Sequence, residues 1–290
     1  SIAAAGRSLK TQKIKIEKEI DPTVEINSHM IEILELEAVQ KAQEEINDGN
    51  EESKLRYYSI GYSTIEYYLE DVKMNSLEGH RGNKIGVNLL ATFLPQMVIE
   101  GLYSVISKAG LEVGNITLEP IAAINVAIKE ELRLLNLALV DIGAGTSDIA
   151  LTKDGNIMAY AMTSTAGDEI TEALSKEYLL DFNQAENLKI NLCKAETQEF
   201  TNIVGMKYEL SSEEIVRSIE NTIAEITMEI AEKILEYNEK PPAAIFLIGG
   251  SSQMPGLREI LSQNIGLPKE RVSIRDTSFI EDVNGIDEII

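Results

Sequence analysis

The sequence predicts an α/β protein, because apolar strands that end in glycines alternate with segments of helical periodicity. The apolar run 137–140 is followed at once by an acid and two glycines, and the run 243–248 is followed by paired glycines. Continuous apolar runs of this length are typical of strands buried on both faces of a sheet. Residues 24–46, 96–108 and 211–237 instead repeat apolar side chains every three or four positions, as amphipathic helices do.

The turn after the first apolar run is nearly all backbone. Gly143 and Gly145 lack a Cβ, so successive N–H groups can close on an anion, and Thr146 and Ser147 add hydroxyls. The turn is therefore predicted to be a phosphate cradle. Asp141, at the strand end, would be repelled by polyphosphate unless a divalent cation lay between them, which indicates magnesium. The alternative is a tight glycine turn beside an ordinary strand-edge acid.

The second glycine-rich segment follows the apolar run 243–248. Gly249 and Gly250 lie between that strand and a helix predicted to open near Pro255. Glycines in this position allow a flat ring or a phosphate to lie against the backbone. The two segments together indicate a nucleotide site.

Five motifs, taken in order, resemble those of the actin, heat-shock-70 and sugar-kinase ATPase superfamily, and within it those of FtsA, the bacterial cell-division actin homologue. They are LEPIAA at 118–123, VDIGAGTSDIAL at 140–151, TAGD at 165–168, NQAENLKI at 183–190 and LIGGSSQMPGL at 247–257. Several ordered motifs at domain-scale spacing are more specific than any one of them. The resemblance covers nearly the whole chain.

The resemblance implies ATP and Mg²⁺ as cofactors and a role for each motif. Asp141 would hold the metal, and Glu119 would orient or deprotonate the water near the terminal phosphate, unless it is only a helix-start acid. Glu186 and Lys189 would reach the ribose and adenine, and the alternative for them is a surface ion pair. The nucleotide-binding set is Gly143, Ala144, Gly145, Thr146, Ser147, Gly167, Asp168, Glu186, Lys189, Gly249, Gly250, Ser251 and Met254. Ala144 and Ser251 replace glycines of the common motifs, which are mild departures.

The resemblance also implies an actin-like ATPase fold of ribonuclease-H-like lobes with an FtsA-type extra subdomain. The expected parts are a remnant of the first lobe at 1–20 and 115–136, the extra subdomain at 21–114, the second lobe at 137–166 and 243–280, and an inserted helical subdomain at 167–242. The Asp-x-Gly-Thr hairpin that carries the family's first phosphate motif is missing before Ile2. The sequence is therefore expected to be a fragment of a longer protein, or a lobe that has lost half its cradle.

The segment before LEPIAA favours FtsA over a heat-shock-70 relative. Residues 11–20 alternate charged and apolar side chains, which is typical of a strand with one solvent-exposed face. A helix, further strands, a glycine turn and another helix follow. This order matches FtsA's own extra subdomain. The strand-like stretch 55–74 holds half of the tyrosines, which suits either a partner surface or ordinary strand packing.

Composition narrows the function classes further. The formal net charge of −22 argues against nucleic acid or an anionic membrane as an unaided partner, and no run is long enough to span a bilayer. A cytoplasmic protein is expected, held at a membrane only through sequence outside this chain. Cys193 is the only cysteine, so no internal disulfide forms, and it is expected to be a buried small side chain.

Three functions fit these features. The first is a bacterial FtsA-like, cytoskeletal ATP-binding protein, at most a weak ATPase, that acts in cell division by self-association or by recruiting a tubulin-like division protein. The second is a small-molecule kinase, for which no acceptor-site aspartate is evident. The third is an assembly scaffold of the type IV pilus kind, or a shell-associated or chaperone relative, with weak or no nucleotide binding.

Overall fold

The computed structural model describes residues 1–4, 8–49 and 55–275. By its internal contacts the chain divides into two units. The first comprises residues 1–122 and 155–159, and the second comprises residues 123–154 together with those from 160 onwards. The finer division into four parts stays a prediction.

The first unit pairs a four-stranded sheet with a long helix. In chain order its elements are β1 (Ile2–Ala4), β2 (Lys10–Glu19), α1 (Ser28–Asp48), β3 (Tyr57–Leu69), β4 (Val72–Met74), β5 (Lys84–Pro95), α2 (Gln96–Lys108), β6 (Ile116–Leu118) and α3 (Glu119–Ala127), within which the unit boundary falls. The sheet order is β2-β5-β3-β4, with antiparallel pairing throughout. A separate parallel pair joins β1 to β6.

The core of the first unit lies between α1 and one face of this sheet. The helix contributes Leu34, Ala38 and Ala42, and the central strand β5 contributes alternate residues that include Val87, Leu89 and Phe93. The three- and four-residue spacing on the helix and the two-residue spacing on the strand bring both apolar faces together. On β2 the same face carries Ile14 and Ile16, while Lys15 between them is charged.

The second unit is built on a five-stranded sheet. Its elements are β7 (Leu137–Ile142), β8 (Ser147–Lys153), β9 (Asn156–Thr163), within which the other unit boundary falls, α4 (Gly167–Tyr178), α5 (Phe182–Leu192), β10 (Thr197–Thr201), β11 (Lys207–Ser211), α6 (Ser212–Ser218), α7 (Glu220–Asn238), β12 (Ala244–Ile248), α8 (Leu257–Ile265) and β13 (Val272–Ile274), with short 3₁₀ helices at Glu130–Leu134, Gly250–Gln253 and Lys269–Arg271. The order is β13-β12-β7-β8-β9. Strands β13, β12 and β7 run parallel, and β8 is antiparallel to β7.

The sheet of the second unit places the two glycine-rich segments side by side. Because β7 and β12 are parallel neighbours, both present their carboxyl ends at the same edge. Strand β7 is buried almost throughout, as the apolar run predicted. The residues that follow each strand therefore meet at that edge.

Two helices differ from the sequence-based expectation. The predicted helix 24–46 begins at Ser28, because the Asn27 side chain accepts a hydrogen bond from the Met30 N–H at 3.0 Å and caps it there. Ahead of the helix, Asp21 closes a local turn by accepting hydrogen bonds from the N–H and the hydroxyl of Thr23. The predicted continuous helix 211–237 is divided at Ile219 into α6 and α7.

The hairpin of β10 and β11 was not foreseen from the sequence. Phe200 on β10 and Tyr208 on β11 stack at 5.0 Å between ring centroids, and both contact the ring of Tyr178 edge-on. Aromatic packing of this kind stabilises a short hairpin that could not persist alone.

Within residues 1–4, 8–49 and 55–275, no helix is both long enough and apolar enough to cross a membrane.

Two leucines of α1 test the core of the first unit. Leu34 is fully buried, so we expect Leu34→Ala to lower the free energy of unfolding by about 2–5 kcal/mol through lost burial and a cavity. Leu36 lies on the same helix but is 52% exposed, so Leu36→Ala should change it by only about 0.5 kcal/mol. Urea unfolding followed by circular dichroism measures both, and equal losses would contradict the assigned helix face.

Candidate functional site

The hairpin between β7 and β8 forms the centre of the candidate site. The Gly143 N–H donates to the Thr146 carbonyl at 3.0 Å, which closes the four-residue turn. Below the turn Asp141 faces Asp148 in register across the two strands. The Thr146 hydroxyl donates to Asp148 Oδ2 at 3.3 Å, so the turn is mostly backbone with two carboxylates at its base.

A second loop, the TAGD segment 165–168, is joined to this hairpin by its backbone. The Gly167 N–H donates to the Gly143 carbonyl at 3.1 Å, and the Asp168 N–H donates to the Ala144 carbonyl at 2.7 Å. The Ser147 hydroxyl donates to the Thr165 carbonyl at 2.9 Å. The first N–H groups of α4, which a helix leaves without partners of its own, are therefore satisfied by the hairpin.

The third segment, 249–251, reaches the same carbonyl. The Ser251 hydroxyl donates to the Gly143 carbonyl at 2.8 Å, so that one oxygen accepts from both neighbouring segments. Gly249 has φ +85°, and a Cβ there would lie 2.4 Å from Asp141 Oδ1 and 2.5 Å from the Ile142 carbonyl. Only glycine permits this approach of the loop to β7.

Glycine is needed at position 167 because a side chain there would clash with its neighbours, and not because the backbone has a positive φ. A Cβ at this position would lie 2.2 Å from the Ser251 hydroxyl and 3.2 Å from the Lys189 ammonium nitrogen. The absence of a side chain therefore lets the loops and α5 close on one another.

Lys189 links α5 to the start of α4. The residue is only 7% exposed, and its ammonium group donates to the Gly167 carbonyl at 3.0 Å and to Thr171 Oγ1 at 2.8 Å. It also pairs with Glu186 at 2.6 Å, and Thr171 donates to the same carboxylate at 2.6 Å. Burial would raise the pKa of Glu186, but the hydrogen bonds from Lys189 and Thr171 outweigh it, and the net pKa is lowered.

These contacts set the two residues apart from an ordinary surface ion pair. A buried ammonium needs all its donors satisfied, and here a carbonyl, a hydroxyl and a carboxylate meet that need. The Lys189–Glu186 pair therefore holds α5 against the TAGD segment, independently of any ligand contact.

The remaining predicted residues fall in two places. The side chain of Met254 is buried beside the segment 249–251, while Ala144 at the tip of the hairpin is exposed. Glu119 is the exposed first residue of α3 and belongs to the first unit. The second unit therefore brings together all predicted site residues except Glu119, and their binding roles stay predictions.

The structure adds two residues that the sequence did not single out. Thr171 lies one helical turn after Gly167, so the i, i+4 spacing on α4 was the signal available for it. Asp148 is paired with Asp141 by strand register, which becomes readable once the hairpin turn is fixed.

The expectation for Cys193 was wrong. The residue is exposed, and its thiol donates to the Gln253 carbonyl at 3.3 Å. Partial burial raises the pKa of this thiol. The C-terminal end of α5 faces solvent on that side, which helical periodicity did not resolve.

No group of three metal-binding side chains is arranged to enclose an ion within the described ranges. The donor set at the hairpin consists of the two carboxylates of Asp141 and Asp148. Hard oxygen donors of this kind fit Mg²⁺, which commonly takes one or two carboxylates with phosphate and water.

Comparison with known families decides the classification. The family model for cell division protein FtsA matches residues 138–285, just over half of the chain. The chain belongs to the FtsA family. The matched region contains the hairpin, the TAGD segment, α5 and the glycine pair after β12.

Individual relatives agree with this membership. FtsA of Bacillus subtilis is 25% identical over 201 residues, which cover 64% of this chain and 46% of that protein. The ethanolamine utilization protein EutJ of Salmonella typhimurium is 29% identical over 160 residues, 55% of this chain and 48% of that one. The chain spans about half the length of the curated relatives it matches.

A solved structure supports the fold of this FtsA family member. A PilM–PilN type IV pilus biogenesis complex superposes with a TM-score of 0.59 and 18% identity, over 94% of this chain and 68% of that chain. The fold is thus the actin-like one that the motifs predicted.

Gly249 and Gly250 form a matched pair for testing the loop contact. We expect Gly249→Ala to cost about 1–3 kcal/mol in backbone strain at its positive φ, and more from the contact with Asp141. A Cβ at Gly250 meets nothing within 4 Å, so Gly250→Ala should stay within about 0.5 kcal/mol of the wild type. Thermal unfolding of both variants measures the difference, and equal effects would rule out the close approach.

Glu186 generates a pH prediction. Its pKa in the folded protein is lowered, so its stabilisation is fully present above the ordinary value of 4.5 and is lost as pH falls through the folded value. Glu186→Gln should therefore lower the melting temperature at neutral pH, and the difference from wild type should shrink below pH 4.5.

The control for this series is Glu172→Gln, which breaks an exposed pair with Lys176 on α4. We expect that variant to have little effect at any pH. A difference between Glu186→Gln and wild type that is constant down to acidic pH would contradict the assigned ion pair.

Proposed function

We propose that this chain is an FtsA-like actin homologue that binds ATP with Mg²⁺ and acts by nucleotide-controlled self-assembly or partner recruitment in bacterial cell division. The observation that carries the proposal is the meeting of the two glycine-rich segments and the TAGD segment at the Gly143 carbonyl, beside the carboxylate of Asp141. A turn that is mostly backbone and a metal-compatible acid lie together there. That combination suits a nucleoside triphosphate.

In this proposal each segment contacts a different part of the nucleotide. The turn 143–147 receives the phosphates, and Asp141 holds the magnesium ion between them and the protein. The segment 249–251 with Met254 lies against the adenosine, and α5 supplies Glu186 and Lys189. The two buried hydrogen bonds of Lys189 hold α5 in position before any ligand arrives, which lowers the entropy cost of binding.

The chemistry assigned to the site is modest. Glu119 would orient the water near the terminal phosphate, and we propose at most slow hydrolysis. The partners proposed are further copies of the chain or a tubulin-like division protein. The proposed location is the cytoplasm, with membrane attachment only through sequence outside this chain.

One observation favours the alternative of an assembly scaffold with weak nucleotide binding. The N–H groups of Gly167 and Asp168 donate to hairpin carbonyls, so in this arrangement they are not directed at a phosphate. The superposed PilM structure is part of a pilus biogenesis complex, so an actin-like fold serves there in an assembly with another protein. Motifs of nucleotide-binding type would then hold loops together.

Calorimetric titration with ATP and Mg²⁺ distinguishes the two functions. We expect saturable binding by the chain and a loss of affinity of about tenfold or more in Asp141→Asn, because the metal loses a charged ligand. Gly250→Val should fold normally yet also bind poorly, since its side chain would occupy the open space above the loop.

Glu172→Gln is the matched control, because it removes a carboxylate of the same unit that is exposed and pairs with the exposed Lys176. It should bind like the wild type. Equal affinity in Asp141→Asn and the control would remove the metal role of Asp141, and no binding by any form would favour the scaffold.

A further inference from the structure

Strand β2 is an outer strand of the four-stranded sheet in the first unit. It pairs with β5 over residues Lys10–Glu19, and in the described part of the sheet its other edge has no strand beside it. An outer strand of this length presents a row of N–H and C=O groups that a further strand can join.

The direction of those groups follows from one hydrogen bond. The Ile20 N–H donates to the Asn83 carbonyl at 2.8 Å, on the side of β5. Backbone groups alternate along a strand, so even-numbered residues face β5 and odd-numbered residues face the open edge. The odd-numbered side chains also lie on the sheet face opposite Ile14 and Ile16, whose face packs against α1.

The odd-numbered residues carry a symmetrical charge pattern. Lys13 and Lys15 precede Ile16, and Glu17 and Glu19 follow it at the same distances. When a second copy of the strand lies antiparallel with Ile16 opposite Ile16, Lys13 faces Glu19 and Lys15 faces Glu17. Opposite charges directly across an antiparallel pair are favourable.

We propose that two copies of this chain associate through their β2 edges, antiparallel and centred on Ile16, so that their sheets join across a twofold axis. Such an interface is isologous, because the same strand is used by both copies. The odd-numbered residues of the two strands form the backbone hydrogen bonds, and the pairs of lysine and glutamate fix the register.

The charge pattern selects this register over its neighbours. A shift by two residues in one direction places Lys15 opposite Lys15, and a shift in the other direction places Glu17 opposite Glu17. Both arrangements put like charges directly across the pair, which is destabilising. A one-residue shift would place odd-numbered residues opposite even-numbered ones, whose N–H and C=O groups point towards β5 and away from the partner strand.

The charges are already ordered in the single chain. Lys15 pairs with Glu17 at 2.8 Å, and Lys84 pairs with Glu17 at 2.6 Å. Hydrogen bonds from Lys15 and Lys84 lower the pKa of Glu17 to about 2, so it is ionised at neutral pH. Lys15 also lies over the Tyr68 ring at 4.3 Å, which limits its freedom before a partner arrives.

Lysines on an outer strand also protect a sheet against aggregation, and that is the simpler explanation of Lys13 and Lys15. Charges of one sign would be sufficient to protect the outer strand against aggregation. Here the glutamates occupy the symmetry-related positions, which removes the repulsion for one partner only, the same strand in antiparallel orientation. The pattern therefore favours a specific pair over open-ended stacking.

The β2 edge would be the surface through which the self-association of the proposed function takes place. It rests on β2 alone and does not require nucleotide, so failure of ATP binding leaves it standing. Analytical ultracentrifugation without nucleotide, at about 0.1 M salt where long-range repulsion is screened, tests it separately.

The decisive experiment exchanges the charges. The acidic-edge variant carries Lys13→Glu and Lys15→Glu, and the basic-edge variant carries Glu17→Lys and Glu19→Lys. We expect a concentration-dependent wild-type dimer, at least about tenfold weaker self-association in each variant alone, and recovery of dimers in an equimolar mixture. Recovery on mixing cannot arise from a loss of folding.

The control Lys194→Glu with Lys207→Glu changes the net charge as much as the acidic edge but lies on exposed positions of the second unit. It should dimerise like the wild type. If the basic-edge variant does not fold, Lys13→Pro removes one N–H of the open edge without adding a like charge and should weaken the dimer. A monomeric wild type, or variants that associate as the wild type does, would overturn the proposal.

Discussion

The carbonyl oxygen of Gly143 is the acceptor on which the arrangement of the second unit depends. It receives the Gly167 N–H from one loop and the Ser251 hydroxyl from another, so two loops distant in sequence are held to the same turn. Each hydrogen bond contributes only about 1 kcal/mol, but leaving such groups buried without partners would cost more. The glycines at 167 and 249 follow from this constraint, because a Cβ at either position would separate the segments.

The first unit depends on a different kind of interaction. Its sheet is stabilised by the apolar face of α1, and its polar face is occupied by charged and tyrosine side chains that contact one another. A smaller polar cluster lies on the α1 side of the sheet, where Glu35 of α1 accepts hydrogen bonds from Thr64 at 2.7 Å and from Tyr67 at 2.6 Å. Burial, together with the hydrogen bond to Glu35, raises the pKa of Tyr67 to about 12, so the tyrosine stays a donor at physiological pH.

The sequence predicted the features that depend on residues close to one another along the chain. The apolar run of β7, the glycines after it and the start of a helix at Ser211 were all readable, and the structure has them in place. The break at Ile219 and the hairpin of β10 and β11 were not readable, because both are fixed by side chains that meet only in the folded unit. Thr171 belongs to the same class: its hydroxyl matters only once α5 brings Lys189 to it.

An acidic chain that self-associates must overcome its own repulsion. With a net charge of −22, two copies repel at long range, and that repulsion falls off over about 8 Å at physiological salt. Strand β2 is suited to first contact because the two lysines and two glutamates among its odd-numbered residues balance, whereas the whole chain has 48 acidic and 26 basic residues. Low salt strengthens both the local pairs and the overall repulsion, and high salt weakens both. Association through this edge should therefore be strongest at intermediate ionic strength, unlike an apolar interface, which high salt would favour in an acidic protein.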